Sequence, residues 1–262
     1  MMIAGGGARR IQLTFLGSES FIVGKMRFSL KTAFVLILVG ALLTVVYQKN
    51  RQLSRMKQLA EVRIEVFDDR QEFEKRLGQV VCVDFDDVDT TAKDFVSINS
   101  DHFAKQGLLL NNSGGFFVGR TFGFPLQYPA QSKPNSFSPG PVGKNPGGDL
   151  TEFTFGALKR PSLAAGFGAL FIDADYPGIH ASGIRVYGWD DRLIGEEMGF
   201  RGLDGRSVFR GVITVDGSGN LVSAISRVEV VSGSGWPGVD AGDGVTLDDV
   251  VFGNLSPNDL NK

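Results

Sequence analysis

Two regimes of hydrophobic patterning divide the chain. From Ala33 to Tyr47 (AFVLILVGALLTVVY) the run is uncharged and mostly apolar, whereas beyond Val80 short apolar stretches are separated by turn-forming residues. Counted from Phe28, with Lys31 directing its ammonium to the interface, the first run reaches the ~20 residues that span a hydrocarbon core. The second regime reads as strands at 80–86, 107–110, 115–119, 150–155, 169–173, 183–187, 207–215, 225–231 and 245–252. Turn formers lie between them, among them Asn111-Asn112-Ser113-Gly114, Asp175-Tyr176-Pro177-Gly178 and Asp216-Gly217-Ser218-Gly219-Asn220. Short strands without a long helix among them predict an all-β fold, a sandwich or a barrel.

Lys25, Arg27 and Lys31 precede the apolar run, and Lys49 and Arg51 follow it. Started at Met26, the stretch has the charged-then-apolar layout of a secretory signal. Thr44-Val45-Val46-Tyr47 is bulky where a signal peptidase needs small side chains, so the expectation is an uncleaved signal anchor over 28–47, after a basic segment 1–27. Both flanks are basic and nearly balance the positive-inside rule. Residues 48–66, with Leu53, Met56, Ala60 and Ile64 at roughly helical spacing, predict an amphipathic stalk. A second helix is expected over Phe67 to Leu77, with Asp68 and Asp69 in its first turn, Arg76 in its last and Gly78 as its stop. Residues 124–148, rich in Pro, Ser, Asn and Gly, predict a loop without regular structure, either plain surface or ligand-facing.

Charge is split along the chain. Residues 1–78 carry 13 Lys/Arg against 7 Asp/Glu, and residues 79–262 carry 14 against 22, beneath a formal net charge of −2. The acidic body lacks the basic face that nucleic acid requires, which excludes that partner. Cys82 is the sole cysteine, so no intramolecular disulfide forms, and its setting in Val80-Val81-Cys82-Val83 suits a small buried thiol.

Acidic residues bookend the strand region: Asp84-Phe85-Asp86-Asp87 near its start and Asp248-Asp249 near its end. If the first and last strands meet, these carboxylates crowd together and call for a countercharge, for which calcium, an oxygen-seeking cation, is the natural candidate. Asp84, Asp86, Asp248 and Asp249 are the first choices as ligands, with Asp243 and Asp240 behind them. Solvated strand-end acids are the alternative. Period two places Asp248 with Val250 on one face and Asp249 with Val251 on the other.

Several short motifs follow in order: Asp69-Arg70-Gln71-Glu72-Phe73, Val83-Asp84-Phe85-Asp86, Gln106-Gly107-Leu108, Lys133-Pro134-Asn135-Ser136, Phe153-Thr154-Phe155 and Ala165-Gly166-Phe167-Gly168. Val186-Tyr187-Gly188-Trp189-Asp190, Phe209-Arg210-Gly211-Val212, Ile225-Ser226-Arg227-Val228-Glu229 and Leu247-Asp248-Asp249-Val250-Val251-Phe252 complete the series. The succession, over residues 67–253, resembles the jelly-roll domain of secreted bacterial PEP-CTERM-type proteins. The resemblance implies a jelly-roll-like antiparallel β-sandwich on the outer side of the membrane. The tail 254–262 departs from the family pattern in having no sorting helix or basic end, so surface retention is expected from the N-terminal anchor.

Carbohydrate recognition needs aromatic platforms beside polar groups, and Trp189, Trp236, Tyr176 and Tyr128 are the candidates. Tyr187 and Trp189 could instead fill the sandwich. Two histidines, His102 and His180, exclude a three-His zinc site, and neither a Gly-x-Ser-x-Gly elbow nor a phosphate-binding Gly-x-x-x-x-Gly-Lys loop occurs. Gly166-Phe167-Gly168 reads as a turn leading into a strand. Glu152, Glu196, Glu197 and Glu229 are the carboxylates open to glycoside hydrolysis. The expectation is a membrane-anchored, exported, non-catalytic module that binds carbohydrate or another extracellular polymer, with a structural adhesive spacer and a glycan hydrolase as alternatives.

Overall fold

The computed structural model describes residues 21–23, 26–28, 30–91, 95–111, 115–119, 135–139, 150–157, 160–172, 174, 182–199, 207–231, 233–234 and 243–257. The chain divides into two units, residues 1–56 and 57–262. In the first, β1 (Phe21–Val23) and β2 (Met26–Phe28) pair as an antiparallel hairpin, followed by most of α1 (Leu30–Ala60). Within α1, Thr32–Arg51 is long and apolar enough to cross a membrane. The stretches expected as anchor and stalk are thus one continuous helix. The stalk ends at Ala60, however, and residues 63–67 form a strand rather than helix, because alternating Ile64 and Val66 pair with a neighbouring strand instead of continuing the helical stripe.

In the second unit that strand, β3 (Arg63–Phe67), is the edge of an eight-stranded antiparallel sheet. The sheet also contains β4 (Val80–Val83), β5 (Phe95–Ile98), β7 (Phe116–Gly119), β8 (Ser136–Pro139), β11 (Gly166–Ile172), β14 (Val208–Val215) and β18 (Thr246–Gly253). Its order is β3-β14-β11-β18-β8-β7-β5, with β4 beside β18. A seven-stranded sheet holds β6 (Leu108–Asn111), β9 (Leu150–Ala157), β10 (Arg160–Leu163), β12 (Gly183–Tyr187), β13 (Leu193–Met198), β15 (Arg227–Val231) and β19 (Ser256–Pro257). Its order is β13-β12-β15-β9-β10-β19, with β6 also paired to β9. A separate pair, β16 (Gly233–Ser234) and β17 (Asp243–Gly244), completes the set.

Alternation packs the two sheets face to face as an all-β sandwich. Phe153 and Phe155 of β9 meet Phe167 of β11 and Phe252 of β18, with ring centroids 5.1 Å apart for Phe153–Phe167 and 5.3 Å for Phe155–Phe252. A second apolar cluster lies on the outer side of the eight-stranded sheet, where α2 (Arg70–Leu77) buries Phe73 and Leu77 against Phe209, Ile213 and Val251. Burying each of these two side chains is worth about 2–3 kcal/mol. Gly211 admits the ring: a Cβ there would stand 2.7 Å from Phe73 Cδ2. The helix begins at Arg70, not Phe67, because Phe67 belongs to β3 and the extended Asp69 caps the helix, accepting from the Glu72 backbone N–H at 2.8 Å.

Three further expectations change. Ser136–Pro139, inside the stretch read as structureless, is strand β8; fully buried Phe137 pairs with Val118 on one side and Leu247 on the other, which draws the segment into the sheet. The remainder of 124–148 lies outside the described residues. The strand expected over 80–86 stops at Val83, since Phe85 takes a left-handed conformation (φ 62°). Gly166-Phe167-Gly168 lies within β11 rather than in a turn before it. Strands β5, β10 and β13 were also absent from the pattern-based reading.

Candidate functional site

The expected meeting of the acidic strands takes place. β4 pairs antiparallel with β18 in the register Val83↔Val250, Cys82↔Val251 and Phe252↔Val81. On its other edge β18 carries a bulge against β11, between Gly168↔Val251 and Leu170↔Asp248. Asp249 sits in the bulge with φ 45°, an uncommon conformation for a residue with a side chain. The bulge overturns the period-two reading: Leu247, Val250 and Phe252 all enter the core between the sheets, and Asp248 is fully buried.

Beside Asp249 lies a guanidinium. Arg70 Nη1 reaches Asp249 Oδ2 at 2.5 Å, its Nε reaches Glu74 at 2.7 Å, and its Nη2 stands 3.4 Å from Cys82 Sγ. Burial opposes the charge of Arg70, but the bonds to Glu74 and Asp249 outweigh it and hold the guanidinium above its ordinary value. Burial and then the Asp249 charge push the Cys82 thiol up to about 11, even though the residue as a whole is exposed.

Asp84 is exposed and begins the turn after β4. Asp86 follows, and burial first, with added repulsion from Asp84, Asp249 and Asp87, raises its carboxyl above the usual range. The turn is fastened by buried Asn135, whose backbone N–H donates to Asp86 Oδ1 (2.9 Å). Its Nδ2 donates to the carbonyls of Phe85 (3.1 Å) and Val88 (2.9 Å), and its Oδ1 accepts from Thr90 Oγ1 at 2.7 Å. Asp243 falls in β17, just before β18, where it pairs with Ser234 of β16, and Asp240 lies outside the described residues. No group of three or more metal-binding side chains occurs among the described residues.

A larger polar assembly covers the solvent face of the seven-stranded sheet. Leu108, Leu110, Phe153, Phe155, Ile184, Val186, Val228 and Val230 point into the core, so their neighbours point out. Register then aligns Asn111, Glu152, Glu229, Arg185 and Glu196 in one row across five strands, through the pairs Asn111↔Glu152, Glu152↔Glu229, Arg185↔Glu229 and Arg185↔Glu196. Beside it run Thr154, Arg227 and Tyr187.

Arg227 organises this face. Its guanidinium lies 3.7 Å from the centroid of the Tyr187 ring and binds Glu229 Oε1 at 2.5 Å, Glu152 Oε2 at 3.3 Å and Asp191 Oδ1 at 2.5 Å. Tyr187 donates its hydroxyl to Glu229 Oε2 at 2.7 Å, Arg185 Nε binds Glu196 Oε2 at 3.1 Å, and Asn111 Nδ2 binds Glu152 Oε1 at 3.3 Å. Burial and the bond to Glu229 raise the Tyr187 hydroxyl above its ordinary value. Burial works against the Arg227 charge, but Asp191 and Glu229 overcome it.

Trp189 is half-buried in the turn from β12 to β13, two residues beyond Tyr187. That turn is closed by Gly188 N–H to the Arg192 carbonyl (2.9 Å) and Asp191 N–H to the Gly188 carbonyl (3.0 Å). Trp236, Tyr176 and Tyr128 lie outside the described residues. Arg227, Arg185 and Asn111 were missed in the sequence, although the alternation Arg227-Val228-Glu229-Val230 and Ile184-Arg185-Val186-Tyr187 marks one polar and one apolar face. Of the four glutamates singled out there, Glu152, Glu196 and Glu229 share the row, while Glu197 pairs with core-facing Ile184.

No protein-family model and no curated protein matches the chain. Among solved structures, it is similar to an arabinose-bound α-L-arabinofuranosidase at 15% identity and TM-score 0.38, over 67% of this chain and 26% of that one. The chain therefore spans about a quarter of that enzyme's length. It is also similar to a low-affinity xylan-binding module from the gut symbiont Roseburia intestinalis (14% identity, TM-score 0.24, 74% of this chain and 96% of that one). A third likeness is to the K3 adhesin domain of Lys-gingipain from Porphyromonas gingivalis (15% identity, TM-score 0.29, 66% and 98%).

Proposed function

We propose that this chain is a membrane-anchored, exported, non-catalytic β-sandwich module that binds a glycan across the solvent face of its seven-stranded sheet. The cross-strand row Asn111–Glu152–Glu229–Arg185–Glu196 carries the reading. Sugars are recognised by polar groups that can both give and take hydrogen bonds from hydroxyls, and affinity rises when those groups are already fixed. Here carboxylates, guanidiniums and an amide are held in place by one another. Five strands at about 4.8 Å spacing make a row about 19 Å long, enough for several sugar units laid across the strands. Tyr187 stands beside the row with one ring face covered by Arg227, and half-buried Trp189 lies in the turn just beyond it.

The apolar segment Thr32–Arg51 is the proposed anchor, with the sandwich outside the cytoplasm. A structural calcium near Asp84 and Asp86 belongs to the same proposal, supported by the pairing of β4 with β18, which brings the two acidic segments together. The test of the binding face is affinity electrophoresis of the whole protein, in uncharged detergent, through gels containing soluble polysaccharides. Retardation lost in Arg227→Met, which releases three carboxylates at once, is the expected result. Migration unaffected by every polymer would favour the spacer reading instead.

A further inference from the structure

We propose that this face selects a glycan bearing protonated amino groups and rejects polyuronates; the inference rests on the reading of the sheet as a glycan-binding face. The reason lies in how its charges are spent. Arg227 is shared by Glu229, Glu152 and Asp191, and Arg185 is engaged by Glu196 and Glu229. Four carboxylates thus surround two guanidiniums: Arg227 bonds through all three of its nitrogens, and Arg185, bonded through Nε to Glu196 with Nη1 3.9 Å from Glu229, stands between two acids that a ligand carboxylate would have to approach.

The carboxylates are not all equally engaged. Glu152 uses one oxygen for Asn111 and the other for Arg227, and Glu229 uses one for Arg227 and the other for Tyr187. Asp191 binds Arg227 through Oδ1, and Glu196 binds Arg185 through Oε2. Each of these two therefore keeps an oxygen for a ligand. They are also the most exposed acids of the group, with side chains 76% and 47% accessible. A ligand approaching the row meets acceptors and net negative charge first. An ammonium gains a charge-assisted hydrogen bond there, an uncharged hydroxyl a weaker one, and a carboxylate meets repulsion.

Three linear polymers distinguish these cases at low salt and mildly acidic pH: chitosan with protonated amines, uncharged hydroxyethylcellulose, and polygalacturonate. For the whole protein in uncharged detergent, chitosan is expected to bind about tenfold more tightly than hydroxyethylcellulose, with polygalacturonate weakest. The double variant Asp191→Asn, Glu196→Gln should remove that tenfold preference, with chitosan losing much more affinity than hydroxyethylcellulose so that the two polymers bind about equally. Asparagine tolerates the left-handed backbone at 191 (φ 60°), so the fold survives the exchange. Asp101→Asn, an exposed acid elsewhere in the sandwich, should leave the preference intact.

An equal loss in Asp101→Asn would reduce the preference to general charge and overturn the inference. Polygalacturonate binding as tight as chitosan, and abolished in Arg227→Met, would overturn the selectivity while leaving the binding face standing. Binding of any of the three polymers that Arg227→Met does not weaken, or no binding at all, would overturn the face itself and the inference with it.

Discussion

Arg70, at the start of α2, and Asp249, in the bulge of β18, form an ion pair across 179 residues of sequence. The pair ties the outer helix to a central strand of the eight-stranded sheet. Its carboxylate is 10% accessible and its guanidinium 32%, so solvent screens it only in part. Arg70→Met and Asp249→Asn should each lower unfolding free energy by about 1–3 kcal/mol in urea titrations, the discount for partial exposure included. Because the two side chains touch, the double variant should cost measurably less than the sum of the singles. Additivity within about 0.5 kcal/mol would show that the contact contributes nothing in solution.

Cys82 shares this contact, with Asp249 Oδ1 4.0 Å and Arg70 Nη2 3.4 Å from its sulfur. With its thiol pushed up to about 11 by burial and then by Asp249, little thiolate exists at neutral pH despite the residue's exposure. Iodoacetamide should therefore label the native protein more slowly than a free thiol at pH about 8.5. Asp249→Asn, which removes a raising charge and keeps the lowering one of Arg70, should accelerate labelling; an unchanged rate would refute the electrostatic account.

The sandwich was legible in the sequence because alternation survives in the long central strands. Phe153-Thr154-Phe155 and Val228-Glu229-Val230 announce both their structure and their orientation. The strands that escaped were those whose residues say little locally. Ser136–Pro139 looks like loop and becomes β8 because Phe137 is captured by two neighbours. At the acidic junction, the sequence pointed to a meeting of β4 and β18, since each is an apolar run with aspartates in it or directly after it. It concealed the bulge at Asp249, which depends on packing against β11, and it concealed Arg70, which the helix brings in from far away in the chain. The polar row was concealed for a related reason: no segment contains more than two of its members, and register alone assembles it.

Asn135 fixes the turn between Phe85 and Thr90 with four hydrogen bonds while 1% exposed. Replacing it by alanine keeps the backbone bond to Asp86 but takes the Nδ2 donor from the Val88 carbonyl and removes one bond each from the Phe85 carbonyl, which retains the Val88 N–H, and from Thr90. At about 1–3 kcal/mol for each buried group left unpaired, with water meeting some of them, a loss of about 2–4 kcal/mol is expected. Asn135→Asp should also destabilise, because it replaces the Nδ2 donor with a third acceptor facing two carbonyls. A melting temperature unchanged in either variant would mean the turn is held by other contacts.

Asp86 offers a pH signature. Its folded-state carboxyl is raised by burial, with Asp84, Asp249 and Asp87 adding to the rise, so the folded protein holds that proton more tightly than the unfolded chain. The stabilisation from protonation is complete below the ordinary carboxylate value and disappears as pH rises through the raised one, leaving the ionised group unfavourable at neutral pH. Asp86→Asn keeps an oxygen to accept from Asn135 and removes the charge. It should raise the melting temperature by about 2 °C at neutral pH and lose that gain in acid. A bound calcium would relieve the same repulsion, so adding calcium should raise the wild-type melting temperature and should have less effect on Asp84→Ala or Asp86→Asn. Identical melting in excess calcium and excess chelator would reduce these aspartates to ordinary strand-end charge, and a gain in Asp86→Asn that persisted in acid would reject the repulsion as its cause.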